Sequence, residues 1–143
     1  MQVTRINIPG VLVLEPSVLG DHRGSFAETY HEERYREAGI TEHFVQDNYS
    51  RSIRNTVRGL HFQHPNAQGK LVMDLEGTVY DVVLDIRKGS PTFGKWYGIV
   101  LSGSTVQQLY IPPGCAHGFC VTSDTACFLY KCTAYYSPTN DRG

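Results

Sequence analysis

The stretch Thr78-Val79-Tyr80-Asp81-Val82-Val83-Leu84-Asp85-Ile86 decides the class of the fold. It is rich in β-branched and aromatic residues, holds no glycine or proline, and is too short for an ordinary helix, so it predicts a strand. The same period-two character returns in Val3-Thr4-Arg5-Ile6-Asn7-Ile8 and in Thr125-Ala126-Cys127-Phe128-Leu129-Tyr130-Lys131-Cys132. Turn formers punctuate the chain at Pro9-Gly10, Gly20-Asp21, Glu76-Gly77, Lys88-Gly89-Ser90-Pro91, Ser102-Gly103-Ser104 and Pro112-Pro113-Gly114. Many short strands at such spacing predict an all-β sandwich or closed barrel of antiparallel strands. One segment, His31 to Gly39, is rich in helix formers and closes on a stop-signal glycine, which predicts one short helix.

The chain is 143 residues long, enough for one domain with one core, and without repeats or linkers it is expected to be a single domain over 1–143. A formal charge of −1 offers no electrostatic footprint for nucleic acid or an anionic membrane, although a local cluster of Arg and Lys can still hold a small anion. No apolar run is long enough to cross a bilayer and the first residues lack the pattern of a signal peptide, so the expected location is cytoplasmic. Cys115, Cys120, Cys127 and Cys132 form no C-x-x-C pair and sit among apolar neighbours, which favours reduced, buried thiols over a zinc or redox motif.

A closed barrel leaves a cavity at one mouth, into which alternate side chains of several strands point. In Arg58-Gly59-Leu60-His61-Phe62-Gln63, Arg58 and His61 are three apart. They fall on opposite faces of a regular strand, so both reach one cavity only if Gly59 introduces a bulge or bend. Lys70 stands just ahead of an apolar run, His117 follows the Pro-Pro-Gly turn, and Tyr130 sits in an apolar strand. The plain structural reading of His61 is a hydrogen-bonded sheet histidine, and that of Tyr130 an amphipathic core residue that finds a hydrogen bond. On composition the segment 21–28 reads more readily as a solvated turn leading into a strand than as a functional segment, and Gln46-Asp47-Asn48 reads equally as an Asx-type turn. Composition and spacing stop at a β-barrel with a polar, partly basic cavity.

Nine segments carry the reading further. Asp-x-Arg-Gly-x-Phe-x-Glu (21–28), Phe-Val-Gln-Asp-Asn (44–48), Arg-Gly-Leu-His-Phe-Gln (58–63), Gln-Gly-Lys-Leu-Val (68–72) and Val-Tyr-Asp-Val-Val-Leu-Asp-Ile-Arg (79–87) are the first five. Ser-Pro-Thr-Phe-Gly (90–94), Ile-Pro-Pro-Gly-Cys-Ala-His-Gly-Phe (111–119), Phe-Leu-Tyr-Lys (128–131) and Tyr-Tyr-Ser-Pro (135–138) follow. In this order they resemble the signature segments of the dTDP-4-dehydrorhamnose 3,5-epimerases. The resemblance implies a cupin-like jelly roll, no metal, no redox cofactor, and a homodimer that exchanges N-terminal strands. It implies a dTDP-linked 4-keto-6-deoxy sugar as substrate, with His61 as base, Tyr130 as acid on the opposite sugar face, and Lys70 at the C4 oxygen. It further implies that Arg23 and Arg58 hold the diphosphate and that Phe26 and Glu28 shape the site from the partner subunit. Gln46 and Asn48 would place nucleotide and sugar, His117 would lie in the site, and Tyr136 would stack on ligand.

The residue types suit that chemistry. A 4-keto group acidifies the hydrogens on C3 and C5, and inversion then needs a base on one face, an acid on the other and a cation at the oxyanion. An ordinary histidine, with a pKa of about 6.5, is largely neutral at cytosolic pH and accepts a proton. A lysine preorganised at the developing alkoxide supplies electrostatic stabilisation, and arginine forks match diphosphate oxygens two at a time. His61-Phe62-Gln63-His64 lacks the His-x-His spacing and nearby Glu of metal-binding cupins. The chain also departs from the family's pattern. It has His22 where Glu is common, Leu19 where an aromatic often stands, and Tyr49 in place of a frequent His. The family runs some forty residues further and there supplies a carboxylate to the base, whereas this chain stops at Asn140-Asp141-Arg142-Gly143. Asp47, Asp81, Asp85 and Asp141 are the candidates to replace it, and a nucleotide-sugar-binding cupin of weak or no turnover is the alternative.

Overall fold

A computed structural model describes residues 1–143, with strands β1 (Gln2–Arg5), β2 (Leu12–Glu15), β3 (Val18–Asp21) and β4 (Gly24–Ala27), then helix α1 (Glu32–Ala38). Strands β5 (Gln46–Ile53), β6 (Val57–Gln63), β7 (Lys70–Glu76), β8 (Thr78–Asp85) and β9 (Trp96–Ser102) follow. The chain closes with β10 (Gln108–Ile111), β11 (Cys115–Val121), β12 (Thr125–Cys132) and β13 (Asp141–Arg142). A six-stranded sheet in the order β1-β2-β10-β7-β12-β5 faces a five-stranded sheet in the order β13-β6-β11-β8-β9, and every pairing is antiparallel. Consecutive strands repeatedly cross from one sheet to the other, as expected of a cupin-like jelly roll.

The crossing from β7 to β8 shows why the sequence folds this way. Gly77 adopts φ +96°, and a Cβ there would run into the Thr125 carbonyl oxygen. Only glycine allows the chain to turn so tightly out of one sheet and into the other. Inward side chains of both sheets then meet in a core that includes Val72, Val79, Val83, Leu101, Leu109 and Phe128. Each such residue contributes about 1.5–3 kcal/mol of burial. The helix covers the outer face of the six-stranded sheet, where Tyr35 packs with Leu12, Leu14, Leu71 and Tyr110. Its ends carry the expected signals, with Glu32 and Glu33 in the first turn, Arg36 in the last and Gly39 as a left-handed cap.

Two local expectations need correction. The first strand ends at Arg5, because Ile8 leaves the edge to bury itself in the core. Gln46-Asp47-Asn48 is no turn but the start of β5, paired along its full length with β12. All four cysteines are free, and Cys115, Cys127 and Cys132 are buried. No helix is long and apolar enough to cross a membrane.

Candidate active site

The open end of the barrel holds a polar cavity of about 300 Å³ lined by Gln46, Asn48, His61, Gln68, Lys70, Tyr130, Tyr136 and Asp141, among others. A deeper recess of about 170 Å³ shares His61, Lys70 and Tyr130 with it and adds Ser50, Arg58, His117, Phe119 and Phe128. The two sheets divide the chemistry. Lys70 on β7 and Tyr130 on β12 belong to the six-stranded sheet, while Arg58 and His61 on β6 and His117 on β11 belong to the five-stranded one. A ligand in the cavity therefore has an imidazole on one side and a phenol with an ammonium group on the other.

Arg58 and His61 reach the same recess through an irregularity in β6. His117 pairs with His61 and Phe119 with Arg58, so Gly59 and Leu60 together oppose Gly118. The extra residue restores Arg58 to the inward face. Gly59 sits at φ +102°, and a Cβ on it would lie 2.5 Å from the His117 carbonyl oxygen and 2.7 Å from the Gly118 Cα.

Lys70 is adjacent to Cys132 across the β7–β12 pair, and its Nζ lies 5.8 Å from the centroid of the Tyr130 ring. Burial pushes the ammonium pKa below the usual lysine value, against the pull of Cys132, Asp141 and Asp81. The Tyr130 phenol is pushed up by burial, with Cys132 adding to the rise and the Arg58 cation opposing it. Tyr130 is thus held protonated at neutral pH. His117 is buried, and its Nε2 lies 2.8 Å from Oδ2 of Asp81, a carboxylate without solvent exposure.

Tyr136 is set in place by backbone hydrogen bonds around it. Its N–H donates to Oε1 of Gln46 at 2.9 Å, and the Ser137 N–H donates to Oε1 of the buried Gln63 at 2.9 Å. The Tyr136 hydroxyl donates to Asp141 at 3.2 Å. Gln46 Nε2 donates to Oδ1 of Asn48 at 2.9 Å, so the two amides named from the sequence act as one unit.

The structure does not bring Arg23, Phe26 or Glu28 to this cavity. They lie on or beside the β3–β4 hairpin, a separate two-stranded sheet, where Arg23 is paired with Asp21 at 2.6 Å and Glu28 with Arg34 at 2.6 Å. The Phe26 side chain stands 70 % exposed. The four candidate carboxylates for His61 are also accounted for. Asp47 pairs with Lys131, Asp81 with His117, and Asp85 with Arg87, Ser90 and Thr92. Asp141 alone lines the cavity, bonded to Tyr136. Sequence reasoning left Gln68 and Ser50 without a role. The alternation that makes Gln46 and Asn48 face inward on β5 also points to Ser50, had it been carried one step further. No three His, Cys, Asp or Glu side chains converge to hold a metal ion.

The family profile described as dTDP-4-dehydrorhamnose 3,5-epimerase matches residues 5–143. The chain belongs to this family. It is 54 % identical to the dTDP-4-dehydrorhamnose 3,5-epimerase of Salmonella typhimurium over 99 % of its own length and 78 % of that protein's. It is also 39 % identical to a dTDP-4-dehydrorhamnose 3-epimerase from Streptomyces niveus, covering all of this chain and 70 % of that one. Among solved structures, the Legionella pneumophila dTDP-6-deoxy-D-glucose-3,5-epimerase in complex with dTDP-4-keto-L-rhamnose superposes with a TM-score of 0.95. It is 50 % identical, over 98 % of this chain and 75 % of that chain.

Proposed function

We propose that this protein is a cofactor-independent isomerase that epimerises a dTDP-linked 4-keto-6-deoxyhexose next to its carbonyl, at C3, C5 or both, in deoxysugar biosynthesis. The observation that carries this reading is the placement of His61 on one sheet and of Lys70 and Tyr130 on the other, around one cavity.

In the proposed reaction the His61 imidazole takes the proton from the carbon beside the ketone. The C–H electron pair moves into the C–C bond as the carbonyl becomes an enolate. Lys70 faces the enolate oxygen, where its lowered pKa makes the ammonium a readier hydrogen-bond donor. Tyr130, kept protonated by its burial, returns a proton to the carbon from the opposite side, and the carbonyl re-forms with inverted configuration. Arg58 takes the diphosphate, Gln46 and Asn48 orient nucleotide and sugar, and Tyr136 stacks on the ligand. His117 completes the wall. Remote binding of the nucleotide orients the sugar for reaction.

The exposed β3–β4 hairpin supports a homodimer with exchanged N-terminal strands, in which Arg23, Phe26 and Glu28 serve the site of the partner copy. Four free thiols and a nucleotide-sugar substrate fit a reducing cytoplasm, with the chain acting as one domain. A second reading, binding without turnover, draws on the absence of a carboxylate hydrogen-bonded to His61.

Proton NMR of dTDP-4-keto-6-deoxyglucose in D2O decides between them. The expected result is solvent deuterium at C3, C5 or both, with His61→Ala slowing exchange by about a thousandfold, a loss typical of a general base. Binding with no exchange by the unaltered protein would establish the second reading instead.

A further inference from the structure

On β5 the side chains of Gln46, Asn48, Ser50 and Ser52 alternate inward, opposite Cys132, Tyr130, Phe128 and Ala126 of β12. The first two are amides of the cavity; Ser50 continues the same polar row into the recess, and Ser52 continues it toward the core, opposite Ala126. Ser52 is only 7 % exposed, and its Oγ accepts the Nε–H of Arg58 at 3.1 Å. Ser50 lines the recess, and its buried hydroxyl has no hydrogen-bond partner.

Arg58 is one of four arginines, with Arg5, Arg51 and Arg142, that pair with no carboxylate, and among all the arginines of the chain it alone bonds to a side-chain hydroxyl. Arg23, Arg34, Arg36, Arg54 and Arg87 each pair with a carboxylate, whereas the partner of Arg58 is a neutral hydroxyl. A carboxylate at position 52 would orient the guanidinium equally well but would cancel its charge toward a ligand. A serine orients it and leaves the whole positive charge available. The contact also occupies the Nε side of the planar fork, so an incoming anion meets the end formed by the two terminal amino groups.

We propose that Ser52 is a positioning residue that holds the Arg58 guanidinium end-on to a diphosphate in the recess. This rests on the assignment of Arg58 to the diphosphate made above. Ordering a long side chain before the ligand arrives removes part of the rotamer entropy that binding would otherwise cost. The Arg58 cation also opposes the rise in the Tyr130 pKa, so the same contact keeps a positive charge near the proposed acid.

A double-mutant cycle on the full chain, read by calorimetric titration with dTDP, tests the proposal. Ser52→Ala weakens dTDP binding by about tenfold, the scale of one hydrogen bond to a charged group, and Ser52→Thr, which keeps the acceptor, restores it. In the Arg58→Ala background, Ser52→Ala changes nothing further. In turnover, Ser52→Ala raises KM by a similar factor and moves kcat less. Unchanged dTDP affinity in Ser52→Ala, or a tenfold loss that persists in the Arg58→Ala background, overturns it. A protein that binds dTDP through this coupled pair but exchanges no deuterium refutes the epimerase reading and leaves the positioning role standing.

Discussion

His61 and His117 are register partners across β6 and β11, yet their surroundings are opposite. His117 is buried and its ring nitrogen is tied to Asp81 at 2.8 Å. His61 is open to the cavity and to solvent, and no carboxylate bonds to it. A buried imidazole with a carboxylate partner has its orientation and tautomer set by that partner. An open imidazole is free to meet a substrate. The carboxylates of the interior repeat the contrast. Asp81 on β8 and Asp74 on β7 sit on either side of the Gly77 turn, 0 % and 1 % exposed. One has an imidazole, whereas the other has only backbone N–H groups of Leu75, Glu76 and Cys127 near it, none in good hydrogen-bond geometry. Residue type and burial are shared, and the partner decides which group serves the site and which costs stability.

The strongest way to break the contrast is to remove the bulge that seats both histidines. Gly59→Ala puts a Cβ into the β11 backbone at a positive φ, and should destabilise the fold by about 3 kcal/mol or more while abolishing exchange activity. Urea unfolding alongside the deuterium assay checks this; stability within about 1 kcal/mol of the parent would mean the strand re-forms around alanine.

Asp81→Asn makes His117 resemble His61 by removing its carboxylate. The expected loss is about tenfold to a hundredfold in kcat, the rate equivalent of one hydrogen bond to a charged group, with dTDP affinity unchanged. Equal kcat in the variant would show that the ring needs no carboxylate to hold its place.

Asp74→Val leaves turnover alone and changes stability with pH. Burial raises the Asp74 pKa to about 6 in the folded state, against about 3.9 in an unfolded chain. Between those values the folded chain keeps a proton that the unfolded chain releases, so this group's contribution to stability falls as pH rises from about 4 to about 6 and is flat above. Valine removes the cost, on the order of 3 kcal/mol at neutral pH. In paired urea titrations the advantage of the variant should grow across that window, and a difference independent of pH would refute the assignment.

Much of this was legible in the chain. The strand at 78–86, the helix before Gly39 and the strand at 125–132 follow from local rules, because periodicity and turn chemistry act within a few residues. The requirement for a bend at Gly59 also followed from a parity argument on one strand. By contrast, Gln46-Asp47-Asn48 was ambiguous, since an Asx turn and a polar strand share a composition and only pairing with β12 separates them. Alternation along β5 turns Ser52 inward, but its role was not legible, because it depends on an arginine six residues on and in the opposite sheet.

The sequence by itself determined the all-β class, the order of the motifs and the identities of the imidazole, ammonium, phenol and guanidinium groups. Those are properties of residue type and spacing along the chain. Only the tertiary structure decided which carboxylate meets which histidine, that His61 faces Lys70 and Tyr130 from the other sheet, and that Arg23 stands outside the cavity of its own chain. Hydrogen bonds and charges act over a few ångströms in space, and it is the folding of two sheets onto each other that sets those distances.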